Sequence, residues 1–96
     1  MEGVAGFMVR IQLFPREIEL INLSYQSTNT PKNYVLEGND VVITDNDLEN
    51  LDIMFNCILD TFLEIGLLSN DEPNEVGLEL EKLNRKINNE YVKLNM

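Results

Sequence analysis

The stretch Thr44–Gly66, TDNDLENLDIMFNCILDTFLEIG, decides how the rest of the chain is read. Leu48, Leu51, Phe55, Ile58, Phe62 and Ile65 recur at spacings of 3, 4, 3, 4 and 3, one stripe of an α-helix. Thr44-Asp45-Asn46-Asp47 is a variant capping box: Thr44 covers the free amides, and Asp47 takes the third helical position in place of Glu or Gln. Gly66 follows the stripe directly, where helices commonly end on a left-handed glycine, and Leu67 is placed to pack back. The pattern predicts a helix over 45–65, about 30 Å long at roughly 1.5 Å per residue.

A second helical pattern follows. Val76, Leu80, Leu83, Ile87, Tyr91 and Leu94 repeat at 4, 3, 4, 4 and 3, which predicts a helix over 74–94. Its acids come early (Glu75, Glu79, Glu81) and its bases late (Lys82, Arg85, Lys86, Lys93), as the helix dipole favours. Glu81 and Arg85 form a favourable i, i+4 pair. The polar connection Ser69–Asn74, with Pro73 in it, is short, so the two helices should form an antiparallel hairpin.

Upstream, Val9, Ile11 and Leu13 alternate with Met8, Arg10 and Gln12, which predicts a strand over 7–14. Pro15 suits the first turn of a helix. Phe14, Ile18, Ile21 and Tyr25 share one face of a helix over 15–26, and Glu17 and Glu19 sit at its favourable end. The competing reading is a second strand through Ile18-Glu19-Leu20. Gln26–Asn33 is a polar loop. Tyr34-Val35-Leu36 and Val41-Val42-Ile43 flank the turn residues Glu37-Gly38-Asn39-Asp40, which predicts a hairpin over 34–43. The expected architecture is a single domain over 1–96. Its class is α+β, mainly α: a short N-terminal strand and hairpin, one short helix, and a long antiparallel two-helix hairpin.

With 96 residues, 44% of them hydrophobic and 25% charged, the composition is that of a small folded domain. Seventeen acids against seven bases give a net charge of −10. Direct binding to nucleic acid, which runs through Lys and Arg on phosphates, is not expected. The thirteen acids from Asn33 to Glu81 meet no Lys or Arg, so that segment carries −13 and the remainder +3. An anionic membrane surface repels such a chain, and no apolar run is long enough to span a bilayer. Glu2 and Arg10 disqualify the N-terminus as a secretory signal, and the lone Cys57 allows no internal disulfide, so a cytoplasmic location is expected.

Catalysis has little support. The chain has no His, no phosphate-cradling G-x-x-x-x-G-K run and no G-x-S-x-G elbow. Cys57 lacks a histidine base and sits among apolar and acidic neighbours, which do not activate a thiol. Asp45-x-Asp47-x-Glu49 begins like a calcium loop. Asn50 and Asn56 then occupy the positions that need Gly and Glu. No metal and no cofactor are expected, and the chain is read as a non-enzyme.

Two features of the long helix point outward. Asp45, Glu49, Asp52, Asn56, Asp60 and Glu64 follow one another at 4, 3, 4, 4 and 4, a polar stripe with no interleaved base. A plain solvated face usually mixes signs, because like charges at these spacings repel. Either the stripe is a solvated face that serves solubility, or it suits a basic surface, with acids standing where nucleic-acid phosphates otherwise lie. Ile53, Cys57 and Leu63 fall off the main seam. Either a second layer of the fold covers them, or they contact a partner.

In composition the chain resembles small acidic α-rich phage inhibitors and bacterial immunity proteins, a resemblance that rests on no particular residue. Thirteen asparagines against three arginines point the same way, toward an AT-rich phage or bacterial genome. Together these readings give a non-enzymatic acidic module, of inhibitor or immunity type. It would bind a basic surface of a partner such as a nucleic-acid-processing protein. Asp45, Glu49, Asp52, Asp60 and Glu64 would supply the field and Ile53 an apolar anchor. The alternative is a structural or accessory protein that forms a homodimer or larger assembly through the long helix.

Overall fold

A computed structural model describes residues 7–45 and 49–94. The order of elements is β1 (Phe7–Gln12), α1 (Pro15–Ser27), β2 (Val35–Glu37), β3 (Asp40–Asp45), α2 (Glu49–Ile65) and α3 (Glu75–Leu94). This is an α+β fold, mainly helical. The three strands make an antiparallel sheet in the order β1-β3-β2. β2 and β3 are joined by the tight turn Gly38-Asn39, in which Gly38 takes a positive φ of 63° that glycine adopts without steric cost. β1 crosses to the free side of β3, pairing Phe7 with Asp45 and Gln12 with Asp40. Val9, Ile11, Val41 and Ile43 line the inner face and are buried. On the outer face the Arg10 guanidinium reaches Asp40 at 3.0 Å and Glu37 at 2.7 Å, tying the three strands together.

The sheet corrects the reading of Thr44 and Asp45. Neither begins the long helix; both extend β3, opposite Met8 and Phe7. The reason lies in the run Val41-Val42-Ile43-Thr44. Four successive β-branched residues favour strand, and at the centre of a sheet the backbone finds ladder partners that a helix start would lack. The helix therefore does not begin at Asp45, and Asn46 and Asp47 of the expected capping box, like Leu48 of the seam, lie outside the described residues.

α1 starts without a side-chain cap from Phe14, but the Phe14 N–H donates to Glu17 Oε1 at 2.8 Å. Phe14 was expected on the buried face; it is 70% exposed, with Lys86 Nζ 5.1 Å from its ring centroid. Its neighbour Leu13, the last inward-pointing residue after β1, is buried instead. The helix ends in a Schellman turn: Thr30 N–H donates to Tyr25 O and Asn29 N–H to Gln26 O, with Asn29 at φ 53°.

α2 and α3 run antiparallel, and their near ends meet through glycine. A Cβ on Gly77 would lie 2.0 Å from Gly66 O, and one on Gly66 would lie 2.9 Å from Gly77 Cα. Gly66 was expected in the left-handed region. Gly38 is the positive-φ glycine among the described residues, so Gly66 is required by this backbone contact and not by its own dihedrals. Asn74 fastens the same corner. Its Oδ1 accepts the Gly77 N–H at 2.8 Å, capping α3, while its Nδ2 donates to Ile65 O at 2.9 Å, closing α2.

The buried face of α2 also departs from the expected seam. Leu51, Met54, Cys57, Ile58 and Thr61 are buried, Phe55 and Phe62 are half-buried, and Ile65 is exposed. α2 is flanked by α3 on one side and α1 on the other, so the buried arc lies between the two stripes the sequence offers. In α3, Leu80, Leu83 and Ile87 are fully buried.

Candidate functional site

α2 is the element on which the outward features converge. Cys57 and Thr61 point toward α1: Thr28 Oγ1 donates to Cys57 Sγ at 3.4 Å, and Thr61 Oγ1 to Ser24 O at 3.5 Å. The helical period turns Asp52 and Asn56 away from α1, while Asp60 and Glu64, three residues on from Cys57 and Thr61, lie nearer the α1 edge. Glu49, Asp52, Asn56, Asp60 and Glu64 are all exposed. Asn56 Nδ2 donates to Asp52 Oδ2 at 3.4 Å, which fixes two members of the row against each other.

The expected set divides in three. Glu49, Asp52, Asp60 and Glu64 share α2. Asp45 belongs to β3 and is not part of the helical row; its side chain lies outside the described residues. Ile53 is half-buried and packs against the core cluster, so it is not the free anchor expected of it. The second-layer reading of Ile53 and Cys57 is thus the correct one for those two. Leu63, the third off-seam residue, is 58% exposed.

The bases of the chain lie elsewhere. Arg10 serves the sheet. Arg16 grips Glu79 through Nε and Nη2, both at 2.9 Å, and Lys86 reaches Glu17 at 3.1 Å, so these pairs tie α1 to α3. The grip of Arg16 holds the Glu79 carboxyl below its ordinary range and raises the guanidinium further. Arg85 and Lys93 pair along α3 with Glu81 and Glu90. No ion pair among the described residues involves Asp52, Asp60 or Glu64.

Sequence reasoning singled out Leu63 on this face but missed Leu59. Leu59 is 38% exposed and stands one turn before Leu63, beside the acid row. Leu59 and Phe62 of α2, with Leu80, Glu81 and Asn84 of α3, line a notch of about 130 Å³. Asn84 Oδ1 is shut off from solvent there and accepts no hydrogen bond. The available signal was Leu59-x-x-x-Leu63, an exposed i, i+4 pair hidden among the many apolar residues of α2.

Away from α2, a polar cluster joins α1 to the loop after it. Tyr25 donates to Asn33 Oδ1, Tyr34 to Asn22 Oδ1, and Asn33 Nδ2 to Asn50 O at 3.2 Å. The two rings meet edge to face at 4.9 Å, and burial pushes both phenols up. Both phenols and the Asn33 amide are used internally, the pattern of a structural network. Among the described residues no group of three or more His, Cys, Asp or Glu is placed to hold a metal ion. No helix among them is long and apolar enough to cross a membrane.

Comparison with protein-family models, with curated proteins and with solved structures finds no match to this chain.

Proposed function

We propose that the protein is a non-enzymatic binding module that docks through α2 on a basic surface of another protein, as an inhibitor or immunity-type protein does. The observation that carries this reading is the segregation of charge. Among the described residues Asp52, Asp60 and Glu64 stand exposed on one helix with no ion pair, while Arg10, Arg16, Arg85, Lys86 and Lys93 pair with acids elsewhere. An uncompensated row of this kind repels itself, and it gains most from a cationic partner. Asp60 and Glu64 stand about 5–6 Å apart and Asp52 about 12 Å from Asp60 along the helix, a run of negative charge that can stand in for phosphates, so a groove that holds a nucleic-acid backbone is a fitting target. The buried thiol of Cys57 suits action in a reducing cytoplasm.

The test is affinity capture from lysate of the cell that encodes the protein, with the wild type and with a variant carrying Asp52→Lys, Asp60→Lys and Glu64→Lys. The expected result is a basic partner retained at low salt, released at about 1 M salt where the Debye length falls to ~3 Å, and absent with the variant. Capture of the same proteins by both forms would overturn the reading.

A further inference from the structure

The α2–α3 hairpin has two long sides. One receives α1 through Ser24, Thr61, Arg16 and Glu79. The other is the side of Leu59 and Glu81, half a helical turn away on both helices. It holds the notch of about 130 Å³, whose lining includes Phe62, Leu80 and Asn84. We infer that this open groove receives one amphipathic, cationic helix of the partner, which seats an apolar side chain in the notch. The inference rests on the basic-partner reading and adds the shape of what binds.

Three observations select this occupant. A groove between two antiparallel helices matches the ridge of a third, the same geometry by which α1 fills the far side. A void of about 130 Å³ has the scale of one aliphatic side chain, and its walls are apolar apart from Glu81 and Asn84. The α2 rim carries Asp52, and Glu81 stands on the α3 rim with Arg85 at 3.8 Å, so acids outnumber bases around the groove. A second copy of this chain would bring its own acid row to that rim. A helix with Lys or Arg flanking its apolar stripe meets both the walls and the charge.

Two synthetic peptides of about 18 residues, roughly five turns, test this. One has Leu at i, i+3, i+4 and i+7 with Lys on the flanks; the other scrambles the same residues. Each is titrated into the isotopically labelled full chain while backbone and Asn side-chain amide signals are followed. The ordered peptide is expected to shift Leu59, Phe62 and the Asn84 side-chain amide, and to bind at least about tenfold more tightly than the scrambled one. Leu59→Ser and Asn84→Leu, the second of which fills the notch, are each expected to remove that advantage while the spectrum stays dispersed.

Equal binding of both peptides, with shifts confined to Asp52, Asp60 and Glu64, would overturn the groove and leave the basic-partner reading standing. No binding of either peptide at low salt would overturn both. Concentration-dependent shifts at Leu59 without peptide would assign the groove to a second copy and overturn the cationic helix.

Discussion

At the scale of single residues, the corner between α2 and α3 depends on two glycines and one asparagine. Gly77→Ala places a methyl 2.0 Å from Gly66 O, a backbone atom that cannot swing aside. The expected loss is about 1–3 kcal/mol, as for other overpacked sites, read from the urea midpoint. Gly38→Asn is the control, because the turn there is open and Asn tolerates its positive φ. A gain in stability for Gly77→Ala would mean that helix propensity, which favours Ala by about 1 kcal/mol, outweighs the close approach. Asn74→Ala removes the N-cap of α3 and the bond to Ile65 O together, for an expected loss of about 1–2 kcal/mol. Asn84→Leu should act in the opposite sense and raise stability by about 1 kcal/mol, since it deletes a buried acceptor that has no donor. A lower urea midpoint for that variant would mean the amide is satisfied in solution. These residues were unequally legible. Asn74 sits where a cap is expected ahead of a helical stripe. Gly77 inside a helix reads from sequence only as a penalty of about 1 kcal/mol, because its purpose lies in a contact eleven positions back along the chain.

At the scale of elements, the same distinction separates what periodicity shows from what it leaves open. α3 has one apolar stripe, and its inward residues Leu80, Leu83 and Ile87 follow from spacing alone. α2 is apolar over more than half its circumference, so the existence of the helix was legible and its rotation was not. Met54 and Thr61 are fully buried, although neither belongs to the seam that spacing picks out. Thr44 illustrates a conflict of another kind. It reads equally well as a cap or as the fourth β-branched residue of a strand, and pairing with β1, a partner more than thirty residues away, decides between them. The link from α1 to the loop after it gives an element-level prediction. Tyr25 is buried, and its phenol is raised above its ordinary value of 10.0. Above about pH 10 the unfolded chain releases that proton while the native one keeps it, so the native state binds more protons and stability falls as pH rises. Below pH 10 the contribution is fully present. Denaturation curves at intervals from about pH 9 to pH 11 should show this decline, and Tyr25→Phe should make it shallower. An unchanged slope in that variant would mean that Tyr25 ionises as freely in the fold as outside it.

At the scale of the whole molecule, stability and binding make opposite demands on the acid row. A net charge of −10 works against a compact fold, and Asp60 and Glu64 stand at the i, i+4 spacing where like charges cost about 0.2–0.5 kcal/mol. If solubility were the only use of these acids, interleaved Lys would serve as well and would stabilise the helix. A variant with Asp52→Asn, Asp60→Asn and Glu64→Gln separates the two demands, because it removes charge with little change of shape. At low salt it should melt at a higher temperature than the wild type, and the difference should close as salt approaches about 1 M, where charges more than ~3 Å apart no longer feel each other. The same variant should lose the basic partner at every salt concentration. Greater thermal stability together with lost binding is the combination a functional charge row requires, since the repulsion along α2 is then relieved in the complex by the partner's own cations. Greater stability with binding intact would instead place the contact on the apolar residues Leu59 and Leu63 alone, because they are the large side chains on that side of α2 that neutralisation leaves untouched.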